Sequence, residues 1–271
     1  MDALRTIDDW GARTAAAGVT RAGGEVAVHG ARAEPLRWAS VTKLLTGLAT
    51  LVAVEEGVVD LDEPAGPPGS TLRHVLAHAS GLPPEDGPPL MAPEKRRIYS
   101  NVGIEVAAAL VESRAEMPFA EYLRAAVLDP LGLAGALRSS AAWGYTGPLD
   151  DLLALARELL APTLIAAETL AEATTVQFPG LAGVLPSFGR MDPNDWGLAF
   201  ELRDDKHPHW TGSRNSPRTF GHFGAAGTFL WVDPDAGIAL ACLTDLAFGD
   251  WAADAWPRLS DAVLSEAGPS S

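Results

Sequence analysis

Cysteine is all but missing from this sequence. Cys242 stands alone, which excludes an intramolecular disulfide and a cysteine-rich zinc site. Within the apolar run Ile238-Ala-Leu-Ala-Cys242-Leu243 it reads as a small buried hydrophobe, not a catalytic thiol. Basic residues are scarce as well: 20 Lys and Arg face 35 Asp and Glu, for a formal net charge of −15. Nucleic acid and anionic membrane surfaces require clustered cations, so neither is an expected partner. Strongly anionic substrates are disfavoured too, unless a local basic site overrides the field. No apolar run is long enough to span a bilayer. The longest, Val41 to Val59, is interrupted by Lys43, Glu55, Glu56 and Gly57. The acidic N-terminus, with Asp2, Asp8 and Asp9, lacks the pattern of a secretory signal, so a cytoplasmic location is expected. His74 and His78 are four apart, but no Glu adjoins His74 and no third ligand is evident, so neither a metal nor another cofactor is expected.

What is present is an ordinary globular composition, 47% hydrophobic and 20% charged, in 271 residues. Residues 3–17 read as a short helix ended by Gly18. Val19–Arg21 and Glu25–His29 then flank a turn at Ala22-Gly-Gly24. From Ser40 to Glu56 the pattern is helical and apolar nearly all round, which predicts a central buried helix. Ser70 is expected to cap a helix from Thr71 to Ala79, and a proline-rich loop from Leu82 to Pro93 has the length of a functional lid. Helical patterns return at Val102–Arg114, Phe119–Val127, Leu149–Leu160 and Leu164–Ala173. After Pro193 the texture turns strand-like at Trp196–Leu202, Thr219–Phe223, Gly227–Val232 and Ile238–Thr244. A helix near Ala252–Glu266 and a disordered Gly268-Pro-Ser-Ser tail close the chain. An early hairpin joins a late meander in one sheet only if the helical middle is an insertion, which puts a site in the crevice between two lobes. The doublets Asp8-Asp9, Asp150-Asp151 and Asp204-Asp205 read as solvated surface, and Trp196, Trp210 and Trp231 as core or cleft wall.

Three short motifs carry chemistry. Ser40-Val-Thr-Lys43 opens the buried helix, and residues three apart lie one turn apart on one side, so the amine can lean back to the hydroxyl. Burial among Leu44, Leu45 and Leu48 can desolvate Lys43, whose ordinary pKa of about 10.4 must fall by roughly 3 units for it to act as a base. Tyr99-Ser-Asn101 precedes the next long helix. A tyrosine held near a lysine ammonium can exist as phenolate and relay a proton, while Asn101 offers an amide to substrate and a carbonyl to Lys43. Gly221-His222-Phe223-Gly224-Ala225 leads into an apolar strand, where glycines let a ligand approach the backbone. There the N–H of Ala225 can pair with that of Ser40 as an oxyanion hole. Taken alone, Ser40–Lys43 reads better as an N-cap serine with a snorkelling lysine, and Tyr99–Asn101 as a turn with an N-cap.

Taken in order, the three resemble the Ser-x-x-Lys, Ser/Tyr-x-Asn and Lys/His-x-Gly triplets of the penicillin-recognising serine enzymes. Leu36–Lys43, Gly57–Pro64, Leu76–Leu82, Ile98–Gly103, Asp129–Leu133 and Phe220–Asp235 are similar to segments of the branch containing class C β-lactamases, DD-peptidases and β-lactamase-fold esterases. The resemblance implies an α+β fold, an antiparallel sheet flanked by helices with an inserted all-helical lobe. That would be one domain over residues 1–271, with a sheet lobe near 1–60 and 195–271 and a helical lobe near 61–194. It implies Ser40 as acylated nucleophile and Lys43 with Tyr99 as the proton-transfer pair. Asn101, His222, Phe223 and Gly224 would bind substrate. The third triplet departs from Lys-Thr-Gly: a mostly neutral histidine and a phenylalanine replace the groups that hold a substrate carboxylate. That points to an ester or small amide, a small-molecule substrate, more than to a β-lactam. The class A deacylating Glu has no counterpart, so deacylation falls to a water activated near Tyr99. The competing reading is a non-catalytic ligand-binding or regulatory module that keeps the fold without turnover.

Overall fold

Alanine dominates residues 14–17, yet only Asp2–Asp9 coil, as a 3-10 helix burying Ala3, Leu4 and Ile7. The alanines enter strand β1 (Ala15–Arg21) instead, correcting the expected helix over 3–17. Alanine's helix preference is worth at most about 1 kcal/mol per residue. A strand covered on both faces needs small side chains more: a Cβ on Gly18 would lie 2.9 Å from Leu153 Cδ1. Burial wins. β2 (Gly24–Gly30) returns antiparallel after the glycine turn. The short β3 (Leu36–Arg37) leads through a 3-10 turn at Ala39–Val41 into α1 (Thr42–Glu55), where every residue from Thr42 to Ala53 is buried.

The structure, a computed structural model, describes residues 1–268, so the expected disorder of the tail lies, from Pro269 on, outside the described residues. α2 (Leu72–Leu76) is shorter than expected, because His78 takes a left-handed φ of 55° that stops the coil. Thr71, not Ser70, caps it, in a reciprocal box with His74. α3 (Asn101–Ala115) is capped by Ser100, whose Oγ accepts from the Gly103 N–H at 2.9 Å. Next come α4 (Phe119–Leu123), a π-helical turn at Arg124–Leu128 and α5 (Asp129–Leu131). β4 (Ala136–Leu137) and β5 (Tyr145–Gly147) join β3 in a small sheet, followed by α6 (Leu149–Leu160) and α7 (Ala167–Ala173). A hairpin, β6 (Gly183–Leu185) and β7 (Gly189–Met191), precedes β8 (Glu201–Leu202). Of the strand expected at 196–202 only these last two residues form, since Ala199 adopts φ 65°. β9 (Phe220–Gly224), β10 (Thr228–Asp233) and β11 (Ile238–Thr244) follow, then α8 (Asp250–Ala267).

The six-stranded sheet runs β2-β1-β11-β10-β9-β8, so the early hairpin does join the late meander, all antiparallel. Alternation along β10 divides two cores: Leu230 and Val232 pack with α1 and α6, Phe229 and Trp231 with α8 and the N-terminal turn. Cys242 lies fully buried on the α8 side. α6 packs on β1, β10 and β11, although it falls in the stretch assigned above to a helical lobe. One surface expectation fails. Asp151 of α6 is buried and accepts from the Ala134 and Gly135 N–H groups and the Tyr145 hydroxyl, at 2.9, 2.8 and 2.7 Å. Among the described residues no helix is long and apolar enough to cross a membrane.

Candidate active site

The turn carrying Ser40 is held from three directions. Trp38 donates its indole N–H to Gly147 O at 3.2 Å and its backbone N–H to Tyr145 O at 3.0 Å. Its carbonyl accepts from Thr228 Oγ1 at 2.8 Å. Ala39 then takes φ 47°, a strained conformation for an L-residue. β9 reaches this turn only because Gly224 has no side chain: a Cβ there would lie 2.5 Å from Trp38 O and 3.0 Å from Ala39 Cβ. Gly224 therefore docks the sheet against the turn that carries Ser40. Its chain neighbours Phe223 and Ala225 line the cleft beside Ser40.

Lys43 lies one turn behind Ser40, wholly buried. Its Nζ is 3.2 Å from Ser40 Oγ, 2.7 Å from Asn101 Oδ1 and 2.9 Å from Ala142 O, and 4.8 Å above the Tyr99 ring. Burial pulls its pKa down to about 7, against the opposing pull of Glu105 and Glu85. Tyr99 donates to Ser40 Oγ at 2.8 Å. Burial raises this phenol, although the Ser40 hydrogen bond works the other way. Both groups thus move away from the expected ammonium–phenolate pair, toward a neutral amine and a protonated phenol. Ser100, capping α3 and donating to Pro83 O at 2.6 Å, fixes Tyr99 on one side and Asn101 on the other.

Ser40, Tyr99, Asn101, His222, Phe223 and Ala225 share one cleft of about 360 Å³. His222 donates Nδ1–H to Phe223 O at 2.7 Å, which leaves Nε2 an acceptor without a partner among the described residues. Burial first, and then Lys43, push this histidine down to about 3, so it is uncharged. Phe223 points to the opposite face of β9, into an aromatic cluster with Phe248 and Trp256, and closes the cleft wall. Trp196 also lines the cleft, whereas Trp210 and Trp231 are core. Among the described residues, no Lys or Arg lines this cleft.

Sequence reasoning missed the third partner of Lys43. The Ala142 carbonyl has no signature in the sequence. It is aimed by Glu105, which accepts from Ser140 Oγ and from the Ala142 N–H, and by Thr46, which donates to Ala141 O at 2.6 Å. Glu105 was findable, since it stands four residues after Asn101 on the same helix. Glu85, in the proline-rich loop, accepts from Asn101 Nδ2 at 2.7 Å and fixes the orientation of that amide. The remaining histidines have other employment. His74 caps α2 and meets Glu94 at 3.1 Å, and His78 accepts from the Ser100 N–H at 3.2 Å. His209 is buried against Glu201 at 2.9 Å, and neither it nor His207 lines the cleft.

An antiparallel sheet with helices on both faces, and a serine–lysine–tyrosine cluster where β9 meets a buried helix, define the serine β-lactamase class of fold. The chain belongs to the β-lactamase family, whose family model matches residues 4–264. It is 52% identical to a β-lactamase from Mycobacterium bovis, with a TM-score of 0.97 over 98% of this chain and 99% of that one. A hydrolase with promiscuous acyltransferase activity shares the fold at 18% identity and a TM-score of 0.80, covering 97% and 96% of the two chains. So does unliganded simvastatin synthase from Aspergillus terreus, at 16% identity and 0.82, covering 98% and 96%. No curated protein matches the chain.

Proposed function

We propose that this protein is a serine hydrolase that cleaves esters or small amides through an acyl-enzyme on Ser40. The observation that carries the reading is the hydrogen-bond arithmetic at Lys43. A neutral amine has two N–H groups and one lone pair. Asn101 Oδ1 and Ala142 O take the two hydrogens, which turns the lone pair to the third neighbour, the Ser40 hydroxyl. With its pKa near 7, the amine is free to accept that proton at neutral pH. A module that only binds ligands gains nothing from this costly arrangement.

In the reaction, Ser40 Oγ passes its proton to Lys43 Nζ as it attacks the carbonyl carbon. The N–H groups of Ser40 and Ala225 receive the oxyanion. When the C–O or C–N bond breaks, Tyr99 protonates the leaving group and is reprotonated from Lys43. Water then attacks the acyl carbon and gives a proton to the Lys43–Tyr99 pair, which returns one to Ser40 Oγ as its bond to the acyl carbon breaks and the acid leaves. His222 presents an uncharged acceptor to the substrate, and among the described residues no Lys or Arg lines the cleft to meet a carboxylate beside the scissile bond. Esters and small amides are favoured over penicillins on that ground. The test is turnover of a chromogenic short-chain ester together with labelling by a fluorophosphonate. Turnover and a label both lost in Ser40→Ala are expected; no turnover and no Ser40-dependent label would overturn the proposal.

A further inference from the structure

Next to the Ser40 cleft lies a larger hollow of about 510 Å³, walled by Leu90, Met91, Ile98, Val184 and Pro186. Tyr99 and Pro186 belong to both cavities, so the two meet at the residue that stands 2.8 Å from Ser40 Oγ. Each volume lies within the roughly 300–1,000 Å³ of small-molecule sites. The hollow is apolar and open: Leu90 is 59% and Val184 49% exposed, in a chain whose large hydrophobics are otherwise mostly buried.

Its charge is specific. Arg97 lines the hollow, but its side chain is buried and its guanidinium donates to the carbonyls of Asn194, Ala77, Gln177 and Phe178. Arg96 beside it is exposed, lines the same hollow, and has no hydrogen bond or ion pair among the described residues. Among the described residues, no Asp or Glu lines the hollow. In a protein of net charge −15, an unpaired arginine on an apolar wall is the local basic site that an anionic group requires.

We infer that this hollow receives the alcohol portion of the ester, an apolar arm ending in an acidic group that Arg96 meets. The inference rests on the hydrolase reading above. The division of the substrate follows from proton transfer. Ala225, on the oxyanion side, lines the first cleft, so the acyl group lies there. The leaving oxygen takes its proton from Tyr99, so the departing alcohol lies beyond Tyr99, on the hollow's side.

Two measurements test it. The first compares kcat/KM for ethyl acetate and for medium-chain ω-carboxyalkyl acetates in the wild type, Arg96→Glu and Val184→Asp. The acidic long-chain esters should be preferred by about tenfold or more. Both variants should lose that preference, mainly through KM, while ethyl acetate turnover stays within about twofold. Equal effects on both substrates, or no preference in the wild type, would overturn the inference. The second measures binding of a medium-chain ω-hydroxy acid to Ser40→Ala by calorimetry, independently of turnover. Binding weakened about tenfold by adding Arg96→Glu is expected; no binding, or binding indifferent to Arg96, would overturn the assignment even if Ser40 proves catalytic. Absence of turnover on every ester, with intact Arg96-dependent binding, would instead count against the hydrolase reading alone.

Discussion

At the scale of single residues, the proposed mechanism makes Lys43 the group that sets the working pH, and its burial bears on stability as well. Moving its pKa from 10.5 to about 7 corresponds to about 5 kcal/mol spent on burying the charged form. Between those two pH values the unfolded chain holds a proton that the folded chain lacks, so stability rises with pH across that window. The cost is felt in full below pH 7 and is gone above about 10.5. Urea denaturation of the wild type and Lys43→Met should therefore show the wild type gaining about 2 kcal/mol on the variant between roughly pH 7 and 9. A constant difference would place the lysine's pKa elsewhere. Under the proposed mechanism the same titration governs turnover: kcat/KM for an ester should climb with pH to a plateau, with an apparent pKa of about 7. Tyr99→Phe keeps the ring's packing against His78 and Trp196 and removes the proton donor. It should lower kcat by roughly 10²- to 10⁴-fold with little change in thermal stability.

At the scale of elements, the site depends on how closely β9 approaches the turn before α1. Gly224→Ala places a methyl against Trp38 O and Thr228 Oγ1, at 2.5 and 2.6 Å, and so must displace the Ser40 turn. Loss of about 1–3 kcal/mol together with reduced kcat is expected, measured by denaturation and ester turnover. Gly23→Ala in the β1–β2 turn meets nothing within 4 Å and is the control, with no loss beyond about 0.5 kcal/mol. Asp151→Ala should cost about 3 kcal/mol, because it strands two backbone N–H groups and the Tyr145 hydroxyl in the interior. Legibility in the sequence follows the same physics. α1, α3, α6 and β11 were readable because each is a long continuous run in one state: α6 is amphipathic, while α1 and β11 are almost wholly apolar and buried. β3, β4 and β5 are two or three residues long and exist only through their partners, so no local pattern announces them. The alanines of β1 misled because propensity points to helix where the sheet interior demands small residues.

At the scale of the molecule, the ordered motifs located the cleft, since Ser40, Lys43, Tyr99 and Asn101 converge from two helix starts and β9 brings His222 beside them. What stayed hidden was the backbone: the Ala142 carbonyl, and the use of Gly224 for docking, are set by tertiary geometry that leaves no mark on residue identity. On the proposed reading, a cleft that no Lys or Arg lines among the described residues is a poor host for the carboxylate beside a β-lactam ring. A chromogenic cephalosporin should accordingly show kcat/KM at least about 100-fold below that of a short ester; near-equal values would argue for a carboxylate site elsewhere in the cleft. The claim on which everything else rests is that Ser40 is acylated by way of Lys43. Peptide-level mass spectrometry after fluorophosphonate treatment across a pH series tests it most directly. One adduct is expected, on Ser40, forming faster as pH rises through about 7 and lost in Ser40→Ala. An adduct on another residue, or labelling undiminished in Ser40→Ala, would contradict it.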